Sequence, residues 1–234
     1  RWREVLIAAE TAVAVILLTC TTLLVQTYLS LRPASPGYDP RNRMVATLSL
    51  GDEPNRNAEF VRRLIREITL ESPTSRAAVS HQVPLSGMVA AFRLAAIDGN
   101  TVTVPSGQRA PLLDVNPVSP EYIDVLGMRV IQGRPFDERD MRGAQPVMII
   151  NRTAAARFWP QLDSPLGQRL SVDLPQGRAE FVVTGMVDVD RTSGLSTTSR
   201  SQTLVPYDQV PLAGVRVIVH EPVGGGFDAT ALPQ

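Results

Sequence analysis

Lysine is absent: all 23 basic residues are arginine. Without a lysine amine the chain can hold neither a Walker A phosphate loop nor a Schiff-base nucleophile. Cysteine is almost as scarce. The one thiol, Cys20, lies in an N-terminal hydrophobic stretch, so the remainder of the chain can form no internal disulfide. Histidine occurs twice, at His81 and His220, and neither sits in a metal-ligand spacing such as H-E-x-x-H. Surface or strand-end positions are expected for both. There is no G-x-S-x-G elbow, and two histidines offer few bases for a nucleophilic triad. Nor is there a surplus of either charge: 23 acids balance 23 bases, which leaves no bulk electrostatic reason to expect nucleic acid. No internal repeat or low-complexity tract is present. The numbering opens on Arg1 rather than Met, so the chain is expected to start inside a longer polypeptide.

What is present begins with an apolar run, Val5 to Val25, of which eleven residues are Leu, Ile or Val. As an α-helix it spans roughly 30 Å, the depth of a bilayer hydrocarbon core. Each of those residues favours insertion by roughly 0.3 to 0.6 kcal/mol, against about 3 kcal/mol for one centrally placed acid. The acid in question, Glu10, is off centre and is expected to face a helical neighbour or the interface. A cleaved signal peptide and a buried helix of a soluble protein are the competing readings. The length of the run, the acid within it and the lack of a small-x-small cleavage site oppose the first, and the near absence of a polar face opposes the second. Orientation is open, because Arg1 and Arg3 on one side are matched by Arg32, Arg41 and Arg43 on the other.

Residues 32–43, rich in Pro, Ser and Gly at their start, read as a linker, and the soluble fold is expected over 44–221 with a flexible tail over 222–234. Met44 to Leu50 reads as a strand. Ala58 to Leu70 reads as an amphipathic helix with Phe60, Val61, Leu64, Ile65 and Ile68 on one face and Asn57 as its N-cap. Ala77 to Val83 reads as the next strand, completing a β-α-β unit that is right-handed if its strands are parallel. From Ser86 to Asn116, short apolar stretches broken by Gly and Pro indicate β structure of unspecified register. Ser119 is placed to cap a short helix that ends at Gly127. Val147 to Ile150 is a strand leading into a helix at Asn151, which Pro160 stops. Arg169 to Asp173, Phe181 to Asp188 and Val215 to Val219 complete the expected strands.

The acidic run Asp137, Glu138, Asp140 reads as a capped helical turn rather than a cation site, and Asp188 with Asp190 as strand-end turn acids. Gly224 to Gly226 reads as linker, since no nucleotide-binding helix follows it. The Asn151-Arg152-Thr153 sequon falls at a strand-helix junction, a poor place for a glycan. No residue is assigned a catalytic, cofactor-binding or metal-binding role, and no cofactor is expected.

Several motifs in order carry more information than any alone: SPGYDP (Ser35 to Pro40), VPLSG (Val83 to Gly87), VSPEYIDVLGM (Val118 to Met128) and GRPFDERD (Gly133 to Asp140). PVMIINRTAAARFWP (Pro146 to Pro160), PLGQRL (Pro165 to Leu170), VVTGMVDVDR (Val182 to Arg191) and VPYDQ (Val205 to Gln209) continue the series. In this order they resemble the periplasmic core domain of MacB/FtsX-type ABC transporter permeases, most of all the duplicated orphan permeases of bacteria. SPTSR (Ser72 to Arg76) departs from the family's Pro-Gly-Val turn, and no hydrophobic span follows the soluble part. The resemblance implies a mixed α+β fold: one transmembrane helix, then a two-lobed core domain with β-α-β units. It implies an inner-membrane, non-enzymatic permease component with its domain outside the cytoplasm. The partners it implies are a separate ABC ATPase, a related periplasmic domain and the lipid bilayer. The alternative is a membrane-tethered interaction or assembly module without transport activity.

Overall fold

A computed structural model describes residues 1–31, 37–39, 41–51, 53–84, 90–104, 107, 109–189 and 201–221. Four α-helices, α1 (Trp2–Leu31), α2 (Pro54–Glu71), α3 (Tyr122–Val125) and α4 (Arg152–Phe158), accompany eleven strands among these residues. The strands are β1 (Arg43–Ser49), β2 (Arg76–Ser80), β3 (Ala91–Ile97), β4 (Asn100–Thr101), β5 (Leu112–Val118) and β6 (Val130–Gly133). They continue as β7 (Val147–Asn151), β8 (Arg169–Leu174), β9 (Gly177–Val187), β10 (Gln202–Pro206) and β11 (Gly214–His220). The mixed α+β class expected from the sequence holds.

Helix α1 is exposed over Trp2–Leu29, and that stretch, with mean hydropathy 2.0, is long and apolar enough to cross a bilayer. The hydroxyls of Thr11, Thr19, Thr21 and Thr22 each donate to the carbonyl four residues earlier at 2.8 Å. Their polar atoms are thereby satisfied within the helix, as a lipid surrounding demands.

The soluble part has two lobes joined by one sheet. The first, here called the wing, is the antiparallel ladder β1-β11-β2. Strand β11 lies between β1 and β2, so the expected β-α-β unit is split by a strand from the far end of the sequence. Helix α2 covers one face, burying Ala58, Val61, Leu64, Ile65 and Ile68 against Ala77, Val79, Val215, Val217 and Val219. Two local expectations fail here. The helix starts at Pro54, whose fixed φ suits a first turn, with Glu53 as N-cap. Asn57 is therefore inside the helix, buried, with Nδ2 donating to the Gly51 carbonyl at 2.6 Å. Phe60 is 41% exposed, because the buried stripe is centred on Val61, Ile65 and Ile68, about a quarter-turn away.

The second lobe is a barrel. The pairings β5-β10-β7-β9-β8-β3 return through β3–β5, where Ala91, Phe92 and Arg93 face Asp114, Leu113 and Leu112, and so close a ring of six strands. Every strand of the ring sends apolar side chains into one cluster: Leu94, Leu113, Val205, Met148, Phe181 and Leu170 are representative, one per strand. Ring closure removes open edges from this part of the sheet. Helix α4, with Ala154 and Trp159, packs on the same cluster. Trp159 is held by its Nε1, which donates to Asp98 Oδ2 at 2.6 Å, while Asp98 Oδ1 accepts from the Arg169 amide at 2.7 Å. Asp98 thereby ties Trp159 to the first residue of β8.

Helix α3 fills the junction of the lobes. Tyr122, Ile123, Val125 and Leu126 pack against Ala78 and Ile218 of the wing and Val118, Ile149 and Leu204 of the barrel. Ser119 does not cap this helix. Glu121 holds the N-cap position, and Ser119 Oγ instead accepts the Val79 amide at 3.0 Å, stitching β2 to the end of β5. Gly37 to Asp39, in the expected linker, lie on the domain: the Asp39 amide donates to Leu126 O at 2.9 Å and Tyr38 packs on the α3 cluster.

Candidate interaction groove

On the face of the junction opposite α3 the lobes do not pack together completely. A groove of about 480 Å³ runs between α2 and the barrel. Its wing wall is Arg62, Ile65, Arg66 and Leu70. Glu121, Glu138, Met141 and Asp208 stand on the barrel wall, and Tyr207 closes the floor. Tyr207 is 2% exposed and reaches from the end of β10 into the apolar cluster under α2, its hydroxyl donating to Leu212 O at 2.7 Å. Burial, with Asp208 beside it, pushes its phenol up to about 12. Among the described residues one ion pair spans the groove walls, Arg62 with Asp208, and it is loose at 3.6 Å. Burial raises the Asp208 carboxyl above its ordinary value, and Arg62 and Arg142 only partly offset this.

The acidic run expected to form a capped turn does so at the groove's rim. Asp137 caps the 3₁₀ turn Glu138–Asp140, its side chain accepting from the Arg139 amide while Asp140 accepts from the Asp137 amide. Arg134 grips Asp140 with two nitrogens, at 2.6 and 2.8 Å. Hydrogen bonds from Arg139 hold the Asp137 carboxyl well below the usual range. Burial works against ionisation of Asp140, but the Arg134 guanidinium and the Asp137 amide outweigh it, and its carboxyl is lowered. The carboxylates are thus consumed by local structure. Both groups have folded values below the ordinary value of about 4, so their stabilising effect is present above that value and is lost as pH falls through the folded values. Thermal melts of the chain across the acid range should show melting temperature falling below about pH 4. Asp140→Asn should lower the melting temperature at neutral pH and flatten that decline. Asp208 has the opposite sign: its raised carboxyl costs stability when ionised, so Asp208→Asn should leave the neutral-pH melting temperature unchanged or slightly higher.

The other singled-out residues are dispersed. His81 follows β2 and its Nδ1 meets the Gly214 carbonyl, burial holding its imidazole below the ordinary value. His220 pairs with Arg76 at the opposite end of the same ladder, roughly 15 Å away at the rise of a strand. The two cannot share a ligand. Asp188, just after β9, lies between Arg129 and Arg152 as an ion-paired strand end. Asn151 is buried and its Oδ1 accepts from the Ala154 amide, as a cap should. Among the described residues no group of three or more His, Cys, Asp or Glu is placed to hold a metal ion. Asp190, Gly224 to Gly226 and most of VPLSG lie outside the described residues. Sequence reasoning missed the groove, since its walls come from segments far apart in the chain. The one local signal was VPYDQ, which holds both Tyr207 and Asp208.

Fold and groove together define a class: a mixed α+β domain of two lobes carried behind one long apolar helix. The family described as the MacB-like periplasmic core domain matches residues 12–223, and the chain belongs to that family. Among curated proteins it is 34% identical over 68 residues to the macrolide export ATP-binding/permease protein MacB 1 of Aeromonas hydrophila, a match covering 29% of this chain and 10% of that protein. The corresponding protein of Bartonella henselae is 29% identical over 94 residues, 40% of this chain and 13% of the relative. The chain thus matches only a small part of these relatives. The crystal structure of the periplasmic region of MacB from Actinobacillus actinomycetemcomitans superposes with a TM-score of 0.53 at 14% identity, covering 86% of this chain and 82% of that one. At that identity the likeness establishes the fold.

Proposed function

We propose that this chain is the membrane-anchored periplasmic part of an ABC transporter permease, passing conformational change between the bilayer and partners outside it for export or mechanotransmission. The chemistry is contact and movement, with no catalysis in this chain. The supporting observation is the continuity of the family match, which starts inside α1 at residue 12 and runs through β11. Helix and domain are therefore one unit of the family, rather than an anchor joined to an unrelated body. On this reading α1 crosses the bacterial inner membrane, residues 32–43 link it to a core domain over 44–221, and 222–234 lead away from the domain. ATP hydrolysis is supplied by a separate subunit, and the domain pairs with a related periplasmic domain.

Extraction of the full-length protein in mild detergent at native expression should recover an ABC ATPase in defined ratio. Recovery of the intact protein with other partners and no ATPase would overturn the transport reading in favour of a membrane-tethered assembly module.

A further inference from the structure

The contacts joining the two lobes are unevenly distributed. The sheet passes from wing to barrel through one bridged pair, Ser80 with Val118, whereas β1 and β11 are paired over seven residues. Around that bridge the chain is firmly tied. The His81 amide donates to Pro117 O at 2.9 Å, the Ser119 amide to Val79 O at 2.8 Å, and Gln82 and Asn116 exchange two hydrogen bonds. On one side of this line α3 is packed against both lobes with Tyr122 fully buried. On the other side lies the groove, where Arg62 and Asp208 are 3.6 Å apart above the buried Tyr207 ring. Guanidinium groups and carboxylates line it together, so it selects no ligand by net charge.

A body joined to another along a narrow line, close-packed on one side and open on the other, has one soft motion: rotation about that line. Interiors resist shape change, so the wing's own core and the barrel's move as units, and the displacement collects at the space between them. We infer that the wing rocks on the barrel about the Ser80–Val118 bridge and α3, with the groove as the gap that opens and closes and Arg62–Asp208 as its latch. Tyr207 is the bearing, seated in the wing's apolar cluster while belonging to the chain that leaves the barrel. This inference rests on the geometry of the domain and not on the transport reading, so absence of a co-purifying ATPase leaves it standing.

The test uses the full-length chain in nanodiscs, in a Cys20→Ala background, with spin labels on Arg66→Cys of α2 and Glu138→Cys of the barrel rim. Both positions are exposed. A control pair, Arg66→Cys with Thr47→Cys on β1, lies within the wing. Pulsed dipolar spectroscopy should show two distance populations across the groove and one within the wing. Asp208→Asn or Arg62→Gln should shift the cross-groove populations toward the longer distance by about two- to fivefold, the weight of an ion pair of this exposure. The charge swap Arg62→Asp with Asp208→Arg should restore the shorter one. A single narrow cross-groove distance, populations indifferent to these variants, or equal broadening of the control pair would each overturn the inference.

Discussion

Gly133→Ala is expected to destabilise the chain by about 3 kcal/mol or more, lowering its melting temperature by roughly 6 to 12 °C. Gly133 ends β6 at φ 72°, where an L residue already costs about 1 kcal/mol. Space matters more. A Cβ there would sit 2.1 Å from the Thr184 carbonyl oxygen and 2.9 Å from both Gly185 Cα and Leu166 Cδ2. Two of these are backbone atoms of β9, and β6 pairs with β9 at this point, Gly133 facing Gly185. Relief of the clash requires β6 to leave the sheet, which also breaks the hydrogen bond from the Arg134 amide to Thr184 O. Gly143→Ala is the matched control: its φ is 87° but its Cβ would meet nothing within 4 Å. It should cost only the left-handed term, about 1 kcal/mol or 2 to 4 °C. Equal losses in the two variants would show that the close approach of β6 to β9 is not what the glycine provides.

Asn151→Ala should cost about 3 to 7 kcal/mol, measured by the same melts. One side chain serves three elements. Oδ1 accepts the Ala154 amide of α4 at 2.9 Å and the Gln202 amide of β10 at 3.1 Å, and Nδ2 donates to Val189 O beyond β9 at 3.1 Å. Loss of the cap is worth about 1 kcal/mol. Burial then leaves the Gln202 amide and the Val189 carbonyl without this partner, at about 1 to 3 kcal/mol each. Asn151→Asp keeps the acceptor and suits the helix N-terminus, but turns an oxygen toward the Val189 carbonyl, so about half the loss is expected. An aspartate variant as damaged as the alanine one would contradict this division of roles.

The strand-to-helix step at Asn151 was legible in the sequence; the wider roles of Asn151 and Gly133 were not. That the same Asn151 would hold β10, or that Gly133 would meet Gly185, depends on pairings across 51 and 52 positions that no spacing rule encodes. Strand β10 itself shows the limit. It is buried at every position, so its residues do not alternate, and Gln202 and Thr203 in the interior disguise it as a loop. Helix α2 was misread at its start for a different reason: Asn57 is a good cap by type, but Pro54 was free to begin the helix earlier, and the buried stripe excludes Phe60. The groove was invisible for the same reason as the ring closure. Each is made by the order of strands in space, with β11 inserted between β1 and β2 and β10 between β5 and β7.

Arg43 and His220 stand opposite each other at one end of the β1–β11 ladder, about 5 Å apart. Chain enters and leaves the wing side by side there, like the two legs of a staple. Pulling the legs apart would load the ladder one hydrogen bond at a time, as a zipper, and spend the displacement on tearing the edge strand away. Pushing or tilting them together would load all seven pairs at once and carry the wing as a rigid lever. On the proposed reading the arrangement would act as a mechanical filter, passing concerted movement of the two legs and discarding relative movement between them.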